Sequence, residues 1–246
     1  MTMTEPALRR ALVTGGSGDI GAAICRRLAR DRMHVVVHAH RNLERAESLV
    51  AEIADAGGSA EIVAFDVTQG ELTAERLRTL LEAGPIQVLV SNAGGYHDAP
   101  MAGMNQAQWR YPIDVSLHGF FNVAQPLLLP MMATRWGRII AISSVAGVIG
   151  NRGQTNYAAA KAGLSGAVKS LSLEVVSRGI TVNAVAPGVI AGHITARAFA
   201  ADAIKKMVPM KRAGTPDEVA ALVAFLASND AAYISGQVIS INGGMA

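Results

Sequence analysis

Tyr157 and Lys161 stand four residues apart in the run Tyr-Ala-Ala-Ala-Lys, inside a segment with helical character. On a helix that spacing places both side chains on one face, about one turn apart. A lysine so placed lowers the pKa of the phenol through its charge, which readies the tyrosine for proton transfer. Ser144 comes thirteen residues before Tyr157, just past an apolar run, and its hydroxyl can donate a hydrogen bond to a carbonyl oxygen. Alone, a Tyr-x-x-x-Lys pair is common and usually structural, so its meaning depends on the elements around it.

The first of these is the run Thr14-Gly-Gly-Ser-Gly-Asp-Ile-Gly21, which follows a short apolar run and opens an amphipathic helix. A strand, a glycine turn and a helix N-terminus together aim unpaired backbone N–H groups and the positive helix end at a pyrophosphate. Gly15 permits the turn, Gly16 and Gly18 allow close backbone approach, and Gly21 lets the helix pack on the sheet. A dinucleotide site is therefore expected here, and the Lys161 ammonium has a second use in holding ribose hydroxyls. NAD sites of this kind carry an acidic residue about 20 residues on. Here that place falls on Ala39, followed by His40 and Arg41, so no carboxylate repels a 2′-phosphate and a guanidinium stands beside it. NADPH is the expected cofactor. Asp66, ending a third apolar run, bonds adenine or caps a turn, and the small residues of Asn92-Ala93-Gly94 admit a flat ring. Ser17, Gly18, Asp19, Ile20, Val67, Pro187, Gly188 and Ile190 complete the expected cofactor contacts.

Short apolar runs alternate with helical periodicity along the whole chain, the signature of a parallel sheet covered by helices. Strands are predicted at 11–14, 34–38, 61–65, 88–91, 138–143, 181–186 and 238–241, and helices at 19–30, 42–56, 71–82, 105–132, 155–177 and 216–227. Gly57, Gly84, Gly137 and Gly179 are placed to stop helices. Right-handed crossovers then give one α/β domain, a doubly wound Rossmann-type parallel sheet of order 3-2-1-4-5-6-7, with ligands at the carboxyl ends of the strands. A chain of 246 residues suffices for such a core. Lysine and arginine number 22 against 19 acidic residues, with no basic cluster, which argues against nucleic-acid binding. Cys25 is the single cysteine and excludes an internal disulfide or a multi-thiolate zinc site. His38 and His40 are the only close histidine pair, and without a nearby carboxylate or thiol in sequence they are read as strand-end residues; no metal is expected. No run reaches the ~18 apolar residues of a bilayer span and the first ten residues lack a signal-peptide core, so no membrane contact and a cytoplasmic location are expected.

The glycine loop, Asn92-Ala93-Gly94, the Ser144, Tyr157 and Lys161 spacing, and Pro187-Gly188 together resemble the classical short-chain dehydrogenase/reductase family over nearly the whole chain. The runs GRIIAISSVAGVIGN, QTNYAAAKAGL and YISGQVISINGGM are most similar to its 3-oxoacyl-acyl-carrier-protein reductases. The resemblance implies NADPH-dependent reduction of a 3-oxoacyl thioester on carrier protein or coenzyme A, in fatty-acid, polyene or polyketide assembly. Ser144 would orient the ketone, Tyr157 would donate the proton and Lys161 would assist. A carbonyl reductase or alcohol dehydrogenase of a free small molecule, and a catalytically weak nucleotide-binding partner, are the competing readings. Three residues depart from the family pattern. Asp19 replaces a loop glycine and is expected to point away from the pyrophosphate or cap the helix. Ser116 replaces the proton-relay asparagine, as a catalytic residue holding water. Gly192 replaces a threonine that helps hold the carboxamide. Tyr96, His97 and Met101 follow the fourth strand and are either substrate contacts or a loop tip. Arg135 and Arg178, at helix C-terminal ends, either compensate the helix dipoles or act as the arginines they match, with which these reductases dock their acidic carrier protein; because they lie opposite the active-site end of the sheet, docking calls for a homo-oligomer, in the family a tetramer.

Overall fold

The computed structural model describes residues 8–193, 195 and 200–246; the sequence reading of the first seven residues lies outside them. Seven strands form one parallel sheet: β1 (Arg10–Val13), β2 (His34–Ala39), β3 (Ser59–Ala64), β4 (Val88–Ser91), β5 (Gly137–Ile142), β6 (Ile180–Pro187) and β7 (Val238–Ile241). Their order is 3-2-1-4-5-6-7, as the alternation of apolar runs predicts. The central strands are buried on both faces because helices cover each. Ala11, Val13, Ile140 and Ile142 face α1 (Asp19–Arg30), α2 (Leu43–Asp55) and a late helix, Pro216–Ala227. The alternate residues Leu12, Ile139 and Ala141 face α3 (Gly70–Glu82) and two helices at Gly119–Ala133 and Thr155–Val175.

The predicted helix at 105–132 is broken. It runs as α4 (Gln106–Ile113), a π turn over Asp114–His118, and α5 (Gly119–Ala133). Pro112 lies inside α4 and has no N–H to offer the Gln108 carbonyl one turn back. That carbonyl instead accepts a 2.6 Å bond from the Asn156 amide. Downstream come α6 (Ala146–Ile149), α7 (Thr155–Val175), α8 (Ala201–Met207) and α9 (Pro216–Ala227); α6 and α8 were not legible as helices. Gly57, Gly84 and Gly179 take the positive φ expected of helix stops. Gly137 does not: it begins β5, and Arg135 takes the left-handed backbone at φ 50° instead. Gly137 is glycine for space, since a Cβ there would collide with the Met131 side chain. No helix among the described residues is long and apolar enough to cross a membrane.

Candidate active site

At the carboxyl ends of the strands lies a cleft of about 950 Å³, lined by the expected cofactor contacts from Gly15 to Ile190 with Ser144, Tyr157 and Lys161. Gly16, expected to let the backbone approach the cofactor, is not among them: a Cβ there would meet the Val37 and Cys25 side chains. The glycine loop is held from both sides. Gly15 turns at φ 63°, its carbonyl accepts from the Asn92 amide at 3.1 Å, and the same amide reaches the Thr14 carbonyl at 3.0 Å. Asn92 thus serves the loop's shape as much as the cleft's lining. A Cβ at Gly21 would run into the Gly15 carbonyl, and Gly18 begins α1 without a side-chain cap. The first turn of α1 is therefore uncovered by any capping side chain and faces the cleft, which fits a dinucleotide phosphate.

His38, read from the sequence as strand-end scenery, is a working part of this loop. It is buried, its Nδ1 accepts the Gly15 N–H at 3.0 Å, and its Nε2 donates to the Phe65 carbonyl at 2.9 Å. Burial pulls its pKa down to about 4, so the ring is neutral and can accept and donate at once. The signal missed was the histidine's position after the apolar run Val35–Val37, beside the glycine turn.

At the adenosine end, Ala39 is buried while His40, Arg41 and Asp66 line the cleft. The Asp66 carboxylate accepts from both the backbone N–H and the hydroxyl of Thr68, at 3.0 and 2.8 Å, and lies 3.8 Å from His40 Nε2. Burial raises its pKa, but the Thr68 bonds and the charges of His40 and Arg41 hold it below the ordinary value. Asp66 therefore caps a turn, one of its two expected roles, and also borders the cleft.

Tyr157 and Lys161 share the cleft face of α7. Ser143 Oγ donates to the Lys161 carbonyl at 3.0 Å, and Asn156, fully buried, donates to the His97 carbonyl at 2.9 Å and accepts the Tyr157 N–H at 2.8 Å. Asn156 is a positioning residue that sequence reasoning passed over, since its importance rests on the carbonyl freed by Pro112. Lys161 is buried, its Nζ donates to the Ile142 carbonyl at 2.8 Å, and it lies 5.7 Å from the Tyr157 ring centre. Desolvation brings the ammonium's pKa down to about 8. The expectation of a lowered phenol pKa is not met: burial pushes Tyr157 above its usual value, against an opposing contribution from the Ser144 hydroxyl. Tyr157 is thus a phenol, not a phenolate, at neutral pH. Tyr96 stands edge-on to it, ring centres 6.5 Å apart at 79°.

Ser116 does not line the cleft directly. It sits in the π turn, buried, and its Oγ has no hydrogen-bond partner. A Cβ added to Gly94 would lie 3.3 Å from Lys161 Nζ and 3.8 Å from Ser116 Oγ, so glycine keeps a small polar space open between the two. At the far side of the cleft, the Pro187 carbonyl accepts from Val145 N–H and Gly188 N–H donates to Ile241. Asp19 borders the cleft and does not cap α1; its carboxylate accepts from Arg45 at 2.6 Å and from the His193 N–H at 2.9 Å. The Thr195 hydroxyl is spent on the Ile190 carbonyl. Cys25 is buried and its thiol pushed up by desolvation, consistent with an inert core residue.

Residues 16–246 match the family model described as Enoyl-(Acyl carrier protein) reductase. The chain belongs to the short-chain dehydrogenase/reductase family. It is similar to a 3-oxoacyl-acyl-carrier-protein reductase of Aggregatibacter actinomycetemcomitans, 42% identical over 95% of this chain and 98% of the relative. It is 42% identical to another of that name from Synechocystis sp. and 43% to nodulation protein G of Rhizobium sp. (strain N33), each over 99% of both chains. As a member of this oxidoreductase family, the short-chain dehydrogenase/reductase has a nicotinamide dinucleotide for cofactor.

Proposed function

We propose that this short-chain dehydrogenase/reductase uses NADPH to reduce 3-oxoacyl thioesters carried on acyl-carrier protein or coenzyme A. The observation that carries the reading is the meeting of Ser144, Tyr157 and Lys161 in one cleft with the glycine loop. When bound, the nicotinamide supplies a hydride. Ser144 donates a hydrogen bond to the ketone oxygen, Tyr157 delivers its phenol proton there, and Lys161 keeps a positive charge beneath both. The raised pKa of Tyr157 favours this direction, because the donor is protonated throughout the neutral range. NADPH oxidation with acetoacetyl and longer 3-oxoacyl carrier-protein substrates, beside a panel of free ketones, tests the proposal. Turnover confined to free ketones overturns it.

The pH profile follows from Lys161. Its pKa of about 8 makes the ammonium the dominant form below that pH and the neutral amine above it. The profile of kcat/KM, which reports the free enzyme, should be level below pH 8 and fall above it, while Tyr157 stays protonated. A level profile through pH 9.5 would sink this assignment.

Ser116 is proposed to hold a water beside Lys161 in the place of a relay asparagine, which would satisfy its unpartnered hydroxyl. Ser116→Ala should lower turnover and shift the pH profile, and Ser116→Asn should leave turnover within a few-fold or raise it. An unchanged profile and rate in Ser116→Ala refute the role.

Carrier-protein docking is proposed for Arg135 and Arg178, both exposed, with the Arg135 carbonyl packed against Gly179 at the sheet end opposite the cleft. Reaching a cleft from there requires a second subunit, and the exposed Phe121 and Leu129 on α5 with Leu173 on α7 favour a homo-oligomer, proposed as a tetramer. Arg135→Glu with Arg178→Glu should raise KM for carrier-protein substrates in a salt-dependent manner and spare coenzyme-A substrates. Equal losses on both substrates, or a fully active monomer, contradict the docking scheme.

A further inference from the structure

Two of the departures from the family pattern meet in space. Asp19 opens α1 and Gly192 lies on the loop after β6, yet a Cβ built on Gly192 would collide with the Asp19 carboxylate. The backbone of Gly192 lies outside the left-handed region, so conformation does not demand glycine there. The carboxylate occupies the space a side chain would need. It also binds the loop directly: Asp19 Oδ2 accepts the His193 backbone N–H at 2.9 Å, and Oδ1 accepts from Arg45 at 2.6 Å. Burial raises the Asp19 pKa, but the bonds from Arg45 and His193 outweigh it and hold the group ionised. The same contact separates two hollows, since Asp19 and Gly192 line both the main cleft and an adjoining cavity of about 390 Å³. Arg26, in that second cavity, is committed to Glu52 by two bonds of 2.8 Å.

We propose that Asp19 is a positioning residue for the cofactor: its carboxylate ties the loop after β6 to the start of α1, and Gly192 is its required counterpart, so the two positions act as one unit. This rests on the nicotinamide-nucleotide reading above. A loop already tied down pays less ordering entropy when the cofactor binds, so the tie raises affinity without touching the ligand. Arg45 completes the unit, because an unneutralised carboxylate in the glycine loop would repel a phosphate-bearing cofactor. Asp19 is thereby a feature compensated at two sites, and its role is distinct from that of the glycine it replaces.

The test is a double-mutant cycle read by the dissociation constants of NADPH and NADH, with nucleotide fluorescence as the signal and thermal melting as a check on folding. Gly192→Ala should weaken NADPH binding at least about threefold in the native background, within the range seen for directly contacting pairs. In the Asp19→Gly background the same substitution should be neutral or favourable. Asp19→Asn, which keeps an acceptor for the His193 N–H, should retain more affinity than Asp19→Ala. If Gly192→Ala has the same effect in both backgrounds, or if Asn and Ala at position 19 bind alike, the unit does not exist. Should Gly192→Ala fail to fold, the Asn-to-Ala comparison decides alone. Failure of the native protein to bind either nucleotide would overturn the cofactor reading itself, a result separate from loss of coupling.

Discussion

Tyr157→Phe should bind NADPH with nearly native affinity and lose about 10²- to 10⁴-fold in reduction, the usual contribution of a positioned general acid. The ring stays packed edge-on to Tyr96 and α7 keeps its anchors at Asn156 and Ser143, so only the proton donor disappears. Single-turnover reduction separates this loss from product release, and nucleotide titration shows whether the cleft is intact. Burial holds Tyr157 protonated at neutral pH, so the proton is in place on the phenol. Asp114 also lines the cleft, but it is committed to His118 at 2.9 Å. A variant retaining more than a tenth of native turnover where chemistry limits the rate would remove Tyr157 from the acid's role.

Arg41→Ala should cost roughly 10- to 150-fold in NADPH affinity and leave NADH nearly untouched. This corresponds to one charge-assisted hydrogen bond to the 2′-phosphate, about 1.5–3 kcal/mol. Among the described residues at this end of the cleft, Arg41 is a cation with no ion-pair partner. Arg45, four residues on, is already held by Asp19, and His40 faces Asp66 at 3.8 Å. Adding salt should narrow the difference between the two cofactors, since Arg41 is exposed. Equal dissociation constants for NADPH and NADH at low salt, or no response to the substitution, would contradict the assignment.

Sheet order, the glycine turn and the placing of Ser144, Tyr157 and Lys161 at one end of the strands were all legible in the amino-acid sequence. Each rests on local regularity: apolar runs of strand length, helical periodicity between them, and glycines where the backbone must turn. Such signals reach one element at a time, and right-handed crossovers then leave few ways to assemble them. Tertiary structure decided matters that local patterns do not encode. Gln108 loses its helical partner because of Pro112, but only the fold brings Asn156 to fill the gap and so to seat Tyr157. His38 acquires its role from the glycine turn that the parallel sheet lays against it. Burial sets the pKa directions of Tyr157 and Lys161, where their spacing alone implied a phenol lowered by the lysine charge. Asp19 and Gly192 look like independent oddities in sequence; they belong together because a carboxylate and an absent Cβ share one volume, and volume is a property of packing in three dimensions.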